Sequence, residues 1–285
     1  MLSSLFSISN RVILVSGGSS GIGNLAAKGL AEHGAARVYI VGRRVTKLEE
    51  LTTTAPGVII PIVGDVSTIE GCQKITASFV EKEKAAGIID ANICLDLLFS
   101  NASISAKEGV WPTDQANPEQ ISNALLQASD DDWSKHFAIN ASATQLLSAS
   151  FLPYLARAGK DGGFKEGRGC IVVNTSISAF YISSDAPLHI YTASKFAAES
   201  IAKSLASNFT KLGVRVNTVA IGNIPSELNS VDTSDSLVNK DKVPIGRCGS
   251  EDDIVGTLIY LASRAGSYVS GATIILDGGT LVASR

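Results

Sequence analysis

The chain reads as one α/β domain: an open, doubly wound parallel sheet of about seven strands with helices on both faces. Three observations predict this. Short β-branched apolar runs alternate with longer helical stretches along all 285 residues. A glycine-rich turn stands directly after the first run, where α/β folds of this kind bind ligands. No internal repeat and no Pro- or Ser-rich linker divides the pattern, so a single domain spanning 1–285 is expected.

The first run, 11–16 (Arg-Val-Ile-Leu-Val-Ser), is apolar without alternation, the mark of a strand buried on both faces. A helical stretch follows over 21–33. Further strands of the same kind are expected at 37–41, 58–63, 95–100, 170–175, 214–220 and 273–276. Helices are expected near 44–54, 67–86, 131–157, 190–212 and 251–264. Three stretches stand outside the alternation. Residues 103–129, holding Trp111-Pro112 and Asn117-Pro118, read as an extended loop, and the glycine-rich 158–169 reads as a flexible surface excursion. Residues 223–243 mix Ile224, Leu228, Val231, Leu237 and Val238 with polar positions, which suits a lid over a ligand.

Composition removes several classes of function. With 45% hydrophobic and 18% charged residues the chain is neither disordered nor fibrous. Its net charge of −3 leaves no basic excess for a phosphate backbone, so no nucleic-acid partner is expected. Cys72, Cys94, Cys170 and Cys248 stand apart, as do His33, His136 and His189, so neither disulfides nor a metal site is expected. No export signal or long apolar span is evident, and a cytoplasmic protein with no membrane association is the expectation. Asn-x-Ser/Thr matches at Asn101, Asn140, Asn174 and Asn208 are read as chance.

The chemistry begins at Ser16-Gly17-Gly18-Ser19-Ser20-Gly21-Ile22-Gly23. Glycines at 17, 21 and 23 permit a tight turn and close approach of a pyrophosphate, whose charge the following helix N-terminus favours. A unit of this kind that binds NAD usually ends its second strand in an acid that takes the ribose hydroxyls. Here that point reads Gly42-Arg43-Arg44. A carboxylate would repel a 2′-phosphate and a guanidinium pairs with it, so NADP(H) is expected over NAD(H).

Tyr191 and Lys195 stand at i and i+4, on one face of a helix. A phenol titrates near 10, so proton transfer near neutrality calls for lowering that by about three units, or roughly 4 kcal/mol. A fixed lysine cation acts in that direction. Upstream, Asn174-Thr175-Ser176-Ile177-Ser178 ends the expected fifth strand, so Ser176 or Ser178 offers a hydroxyl to a substrate carbonyl at the ligand-binding edge.

Together these residues resemble the short-chain dehydrogenase/reductase family, and the resemblance runs through nearly the whole chain. Gly17-x-x-x-Gly21-Ile22-Gly23 resembles its cofactor motif, with Ser16 for the family's Thr. Gly64-Asp65-Val66 is similar to the segment that contacts adenine. Ser100-Asn101-Ala102-Ser103 is similar to Asn-Asn-Ala-Gly with its first and last residues changed, and Asn140 in Phe137-Ala-Ile-Asn140 stands where the active-site Asn is expected. The stretch 214–222 resembles the sixth strand, with Ile221 for the usual proline. Pro244 to Gly249, and Tyr268 to Gly279, resemble C-terminal signatures, and the Ile224-Pro225-Ser226 and Pro244 to Gly249 segments are most similar to bacterial and fungal 3-oxoacyl-[acyl-carrier-protein] reductase-like members, including the rhamnolipid-pathway type.

The resemblance implies a Rossmann fold and a catalytic set of Asn140, Ser176, Tyr191 and Lys195. Ser176 is preferred to Ser178 because 170–176 aligns with the strand without a gap. It implies cofactor contacts from Gly17, Ser19, Ser20, Gly21, Ile22, Gly23, Arg43, Arg44, Asp65, Val66, Asn101 and Ala102, from Tyr191 and Lys195, from the backbone of Ile224 and from the Ser226 hydroxyl. It further implies a small carbonyl or alcohol substrate and a homodimer or homotetramer built on the helices near 131–157 and 190–212. A 3-oxoacyl thioester reductase and a redox-silent NADP-binding scaffold are the alternatives.

Overall fold

The structure, a computed structural model, describes residues 2–105, 117–160, 162–181, 189–225 and 243–283. A short helix α1 (Leu2–Leu5) precedes β1 (Val12–Ser16), α2 (Gly21–Glu32), β2 (Arg37–Gly42), α3 (Val45–Thr52), β3 (Ile59–Val63), α4 (Ile69–Ala85) and β4 (Leu97–Ser100). Then come α5 (Pro118–Leu125), α6 (Asp130–His136), α7 (Ala143–Gly159), β5 (Cys170–Ser176), α8 (His189–Phe209), β6 (Arg215–Ile221), α9 (Glu251–Ala262), β7 (Thr273–Leu276) and α10 (Thr280–Ala283).

All seven expected strands form one parallel sheet in the order β3-β2-β1-β4-β5-β6-β7. Its two faces are covered by separate apolar clusters, and β1 to β6 feed both through the two-residue alternation of side chains. By contrast β7, expected to be buried on both faces, joins only one through Ile274 and Leu276, because it is an edge strand and leaves Ile275 exposed. On β1, Ile13 and Val15 join Ala26 and Leu30 of α2 and Leu258 and Leu261 of α9. Val12 and Leu14 point the other way, to Phe79 of α4, Phe151 of α7 and Ala198 of α8. Phe79 sits at the centre of that second layer, edge-on to Tyr39 (4.9 Å) and Phe151 (5.4 Å). The order of strands reverses between β1 and β4, so the connections after those two strands leave in opposite directions and open a crevice at their carboxyl ends.

Three departures from the sequence expectation have physical causes. The expected loop 103–129 contains α5, because Asn117 caps the backbone N–H groups of Glu119 and Gln120 (3.1 Å each) and Pro118 takes the first helical position, where its missing N–H costs nothing; residues 106–116 lie outside the described residues. The expected helix 131–157 begins at a capping box between Ser129 and Asp132 and is interrupted by a wide π-type turn, Phe137–Ser142, before α7. The glycine-rich excursion holds a short 3₁₀ turn, Gly163–Glu166, and is tied down by Arg168, which donates to Asp96 at 2.9 Å. Asp96 also accepts from the backbone of Val12 (2.8 Å) at the start of β1.

Candidate active site

The turn after β1 is shaped by what its glycines lack. Gly17 has a left-handed φ of 67°, and a Cβ there would come within 2.8 Å of Ala102 Cα. A Cβ on Gly23 would overlap the Gly17 carbonyl. The chain therefore folds back on itself so that the N-terminus of α2 faces the crevice. No acidic side chain stands in the first turn of α2, and Ser20 at its N-cap makes no side-chain capping bond. That leaves helix N–H groups for an anion.

The crevice is a cleft of about 420 Å³. Gly17, Ser19, Ser20, Gly21 and Ile22 line it from the turn, Arg43 and Arg44 from the end of β2, Asp65 and Val66 from the end of β3, and Asn101 and Ala102 from the end of β4. Gly23 stands inside the turn rather than on the cleft wall. Arg43 is exposed and adds its positive charge to the causes that hold the Asp65 carboxyl below its ordinary range, chiefly the N–H of Ser67. A dinucleotide fits this donor set: a cradle that a Cβ would fill, an acid-free helix start and two guanidinium groups at the rim.

The cleft is also lined by Ser103, Ile104 and Asn174, of which the first two hydrogen-bond Asn140 and the third hydrogen-bonds Lys195. The β5 strand ends at Ser176, whose Oγ accepts from the N–H of Ser178 (3.1 Å) and hydrogen-bonds Tyr191. Ser178 lies in the following 3₁₀ turn. Lys195, 2% exposed, donates from Nζ to the Asn174 carbonyl (2.9 Å), and its ammonium lies 5.8 Å from the centre of the Tyr191 ring. Burial lowers the Lys195 ammonium to about 7. Burial raises the Tyr191 phenol, with the Ser176 bond opposing it.

Asn140 sits within the wide turn between α6 and α7. Its Oδ1 accepts from Ser103 Oγ (3.1 Å) and Ile104 N (2.9 Å), while Nδ2 donates to Ile104 O (3.0 Å) and Ser194 Oγ (3.0 Å). Ser194 in turn donates to the Tyr191 carbonyl (2.7 Å). The Asn140 side chain thus ties the segment after β4 to the first turns of α8. Ile224, past β6, is buried with its N–H on the Gly222 carbonyl (3.0 Å) and is not among the residues lining the cleft. Ser226 and residues 226–242 of the expected lid lie outside the described residues.

The family model described as enoyl-(acyl carrier protein) reductase matches residues 17–280. Short-chain dehydrogenase/reductase PhomF of Diaporthe leptostromiformis is 32% identical over 97% of this chain and 93% of its own length. The chain belongs to the short-chain dehydrogenase/reductase family. L-Rhamnose 1-dehydrogenase (NAD(P)(+)) of a Sphingomonas strain is 28% identical over 96% of this chain and 98% of its own. Among solved structures, the RhlG/NADP active-site complex of Pseudomonas aeruginosa superposes with a TM-score of 0.81 at 25% identity, covering 98% of this chain and 99% of that one.

Several groups of this short-chain dehydrogenase/reductase escaped the sequence reading. Ser16 accepts the N–H groups of Asn101 (2.9 Å) and Ala102 (3.1 Å) on its hydroxyl, pinning β4 to β1. Ser103, where the family motif has glycine, keeps a φ outside the left-handed region, since Asn10 is the one described non-glycine residue with positive φ. Its hydroxyl adds the bond to Asn140 that a glycine cannot make. Its replacement of glycine was the available signal; for Asn174 and Ser194 there was none, because their partners are distant in sequence.

Proposed function

We propose that this oxidoreductase uses NADPH to reduce a ketone of a small or secondary-metabolite substrate, with alcohol oxidation as the reverse reaction. The observation that carries the reading is the convergence of Ser176, Tyr191 and Lys195, with Lys195 bonded to the carbonyl of Asn174, a residue that lines the glycine-turn cleft. The turn with Arg43 and Arg44 would hold NADPH, which when bound would supply a hydride for a carbonyl carbon. Tyr191 gives its phenolic proton to the carbonyl oxygen as negative charge develops there. Burial keeps that phenol protonated, the form that ketone reduction consumes. Ser176 orients the same oxygen. Lys195 holds the nicotinamide ribose and, as a cation, lowers the cost of the phenolate left behind. Asn140, its side chain fully engaged, anchors with its backbone a water that continues the proton path from Lys195.

The RhlG complex with NADP and the arginines at the end of β2 support NADP(H) as the cofactor. Phe180 and Tyr181, half-exposed just past Ser176, support an apolar ketone. A 3-oxoacyl thioester is the second reading, favoured by the acyl-carrier description of the matching family. The whole chain acts as one NADP-binding domain within a homodimer or homotetramer.

NADPH oxidation against a panel of ketones, quinones and 3-oxoacyl thioesters tests the substrate class, and Arg43→Asp tests the cofactor. The substitution should weaken NADPH binding by about tenfold or more while changing NADH far less, since it removes the partner of the 2′-phosphate and adds a repulsive charge. Equal losses for the two cofactors would remove the assignment.

A further inference from the structure

Lys195 has to stand at a fixed distance from the glycine turn if one bound dinucleotide is to meet both, yet it sits on α8, a different element from that turn. The connection runs through a buried chain of hydrogen bonds. Lys195 Nζ donates to the Asn174 carbonyl (2.9 Å), Asn174 Nδ2 donates to Asn101 Oδ1 (2.8 Å), and Asn101 Nδ2 donates to the Ser16 carbonyl (2.9 Å). The next residue is Gly17, whose carbonyl also lies within 3.5 Å of Asn101 Nδ2. Asn174 thus grips in both directions, with its backbone toward Lys195 and its side chain on Asn101 at the end of β4. It is 8% exposed and lines the cleft.

Resting on the cofactor and lysine roles proposed above, we infer that Asn174 is a positioning residue: its side-chain clamp on Asn101 holds the end of β5 so that its carbonyl sets the Lys195 ammonium in register with the glycine turn. A carbonyl that accepts from an ammonium favours the charged form, so the quality of this bond governs how much charge Lys195 presents. Among the described residues the titratable group facing that ammonium is Tyr191, on the same helix; from β5 the facing group is the Asn174 carbonyl, which does not titrate. Sequence gave no hint of the role, because Asn174 looks like any polar residue at the end of a strand.

The test is NADPH binding by the full chain, read by nicotinamide fluorescence from about pH 6 to 9. In the parent chain the Kd for NADPH rises as Lys195 loses its proton, a break that Lys195→Met removes. Asn174→Ala, with Asn174→Thr as a second form suited to a strand, keeps the backbone carbonyl and drops the clamp. Each is expected to raise Kd by about fivefold and to move the break down by about half a pH unit. Combining Asn174→Ala with Asn101→Ala should cost no more than the larger single change, because the two act as one unit. In a folded variant, a Kd within about twofold of the parent overturns the inference. So does a raised Kd with the break unmoved, which would make Asn174 a support of the turn alone, and so does full additivity. If neither Asn174 variant folds, Asn101→Ala carries the test, and an unmoved break there overturns the inference. A parent that binds neither NADPH nor NADH overturns the cofactor reading with it, whereas a parent that binds beside variants that match it overturns this inference alone.

Discussion

Lys195 shows most plainly how a single residue is held at a cost. Its ammonium is taken out of water for one carbonyl bond, and burial moves it from 10.5 to about 7. Between those two values the unfolded chain binds more protons at this position than the folded one, so the lysine's contribution to stability rises with pH across that window. Below about pH 7 the full penalty is present. Lys195→Met removes it, and the cofactor-free variant should melt about 3 °C above the parent at pH 7. That margin should shrink as pH climbs toward 10.5. Thermal melts of both chains at several pH values check this, and a margin that is constant or grows with pH would mean the ammonium is not the source. Tyr191 and Lys195 were legible in the sequence because helical spacing alone puts them on one face. Asn174 and Ser103 were not, since what they do depends on Asn101 and Asn140, which only the folded sheet brings near.

At the scale of elements, the strands were legible because short β-branched apolar runs stand apart from helical periodicity, and each of the seven lies within a few residues of its expected bounds. β3 and β7 are not doubly buried as expected, since as edge strands they leave Val63 and Ile275 exposed. The α5 helix was hidden by Asn117-Pro118, a pair that reads as a breaker when the pattern before it is irregular but serves here as cap and first turn. The wide turn at Phe137–Ser142 was hidden for a different reason: helical periodicity continues across it, and the extra residue changes facing without changing composition. Its consequence is local, since it turns Asn140 inward onto Ile104 and Ser194. The outward faces of α7 and α8 lead to a prediction. Gln145, Ala149 and Pro153 on α7, and Ser200 and Ser204 on α8, are small or flat and exposed, and Phe196 beside them is 54% exposed. These faces should pair with those of a second copy. Light scattering at micromolar concentration should give a dimer or tetramer, and Phe196→Glu should shift it toward monomer. A monomeric parent chain would refute this.

For the whole molecule, the strand order is what converts local chemistry into a site. The reversal between β1 and β4 opens the crevice, and the ends of β1 through β5 each deliver one part of its wall: the glycine turn, the two arginines, Asp65 with Val66, Asn101 and Asn174. The α8 helix, packed against β5 and β6, then brings Lys195 onto the carbonyl of Asn174, which lines the crevice, with Tyr191 beside it. Reduction of a ketone is the account's central claim, and it stands on Tyr191 acting in proton transfer rather than in cofactor binding. The most direct test is single-turnover oxidation of bound NADPH by a ketone substrate found in the panel, compared between the parent and Tyr191→Phe. The rate should fall by about 10²–10⁴-fold while the Kd for NADPH stays within about threefold. A rate kept within about threefold, or one lost only in proportion to NADPH affinity, would contradict the account.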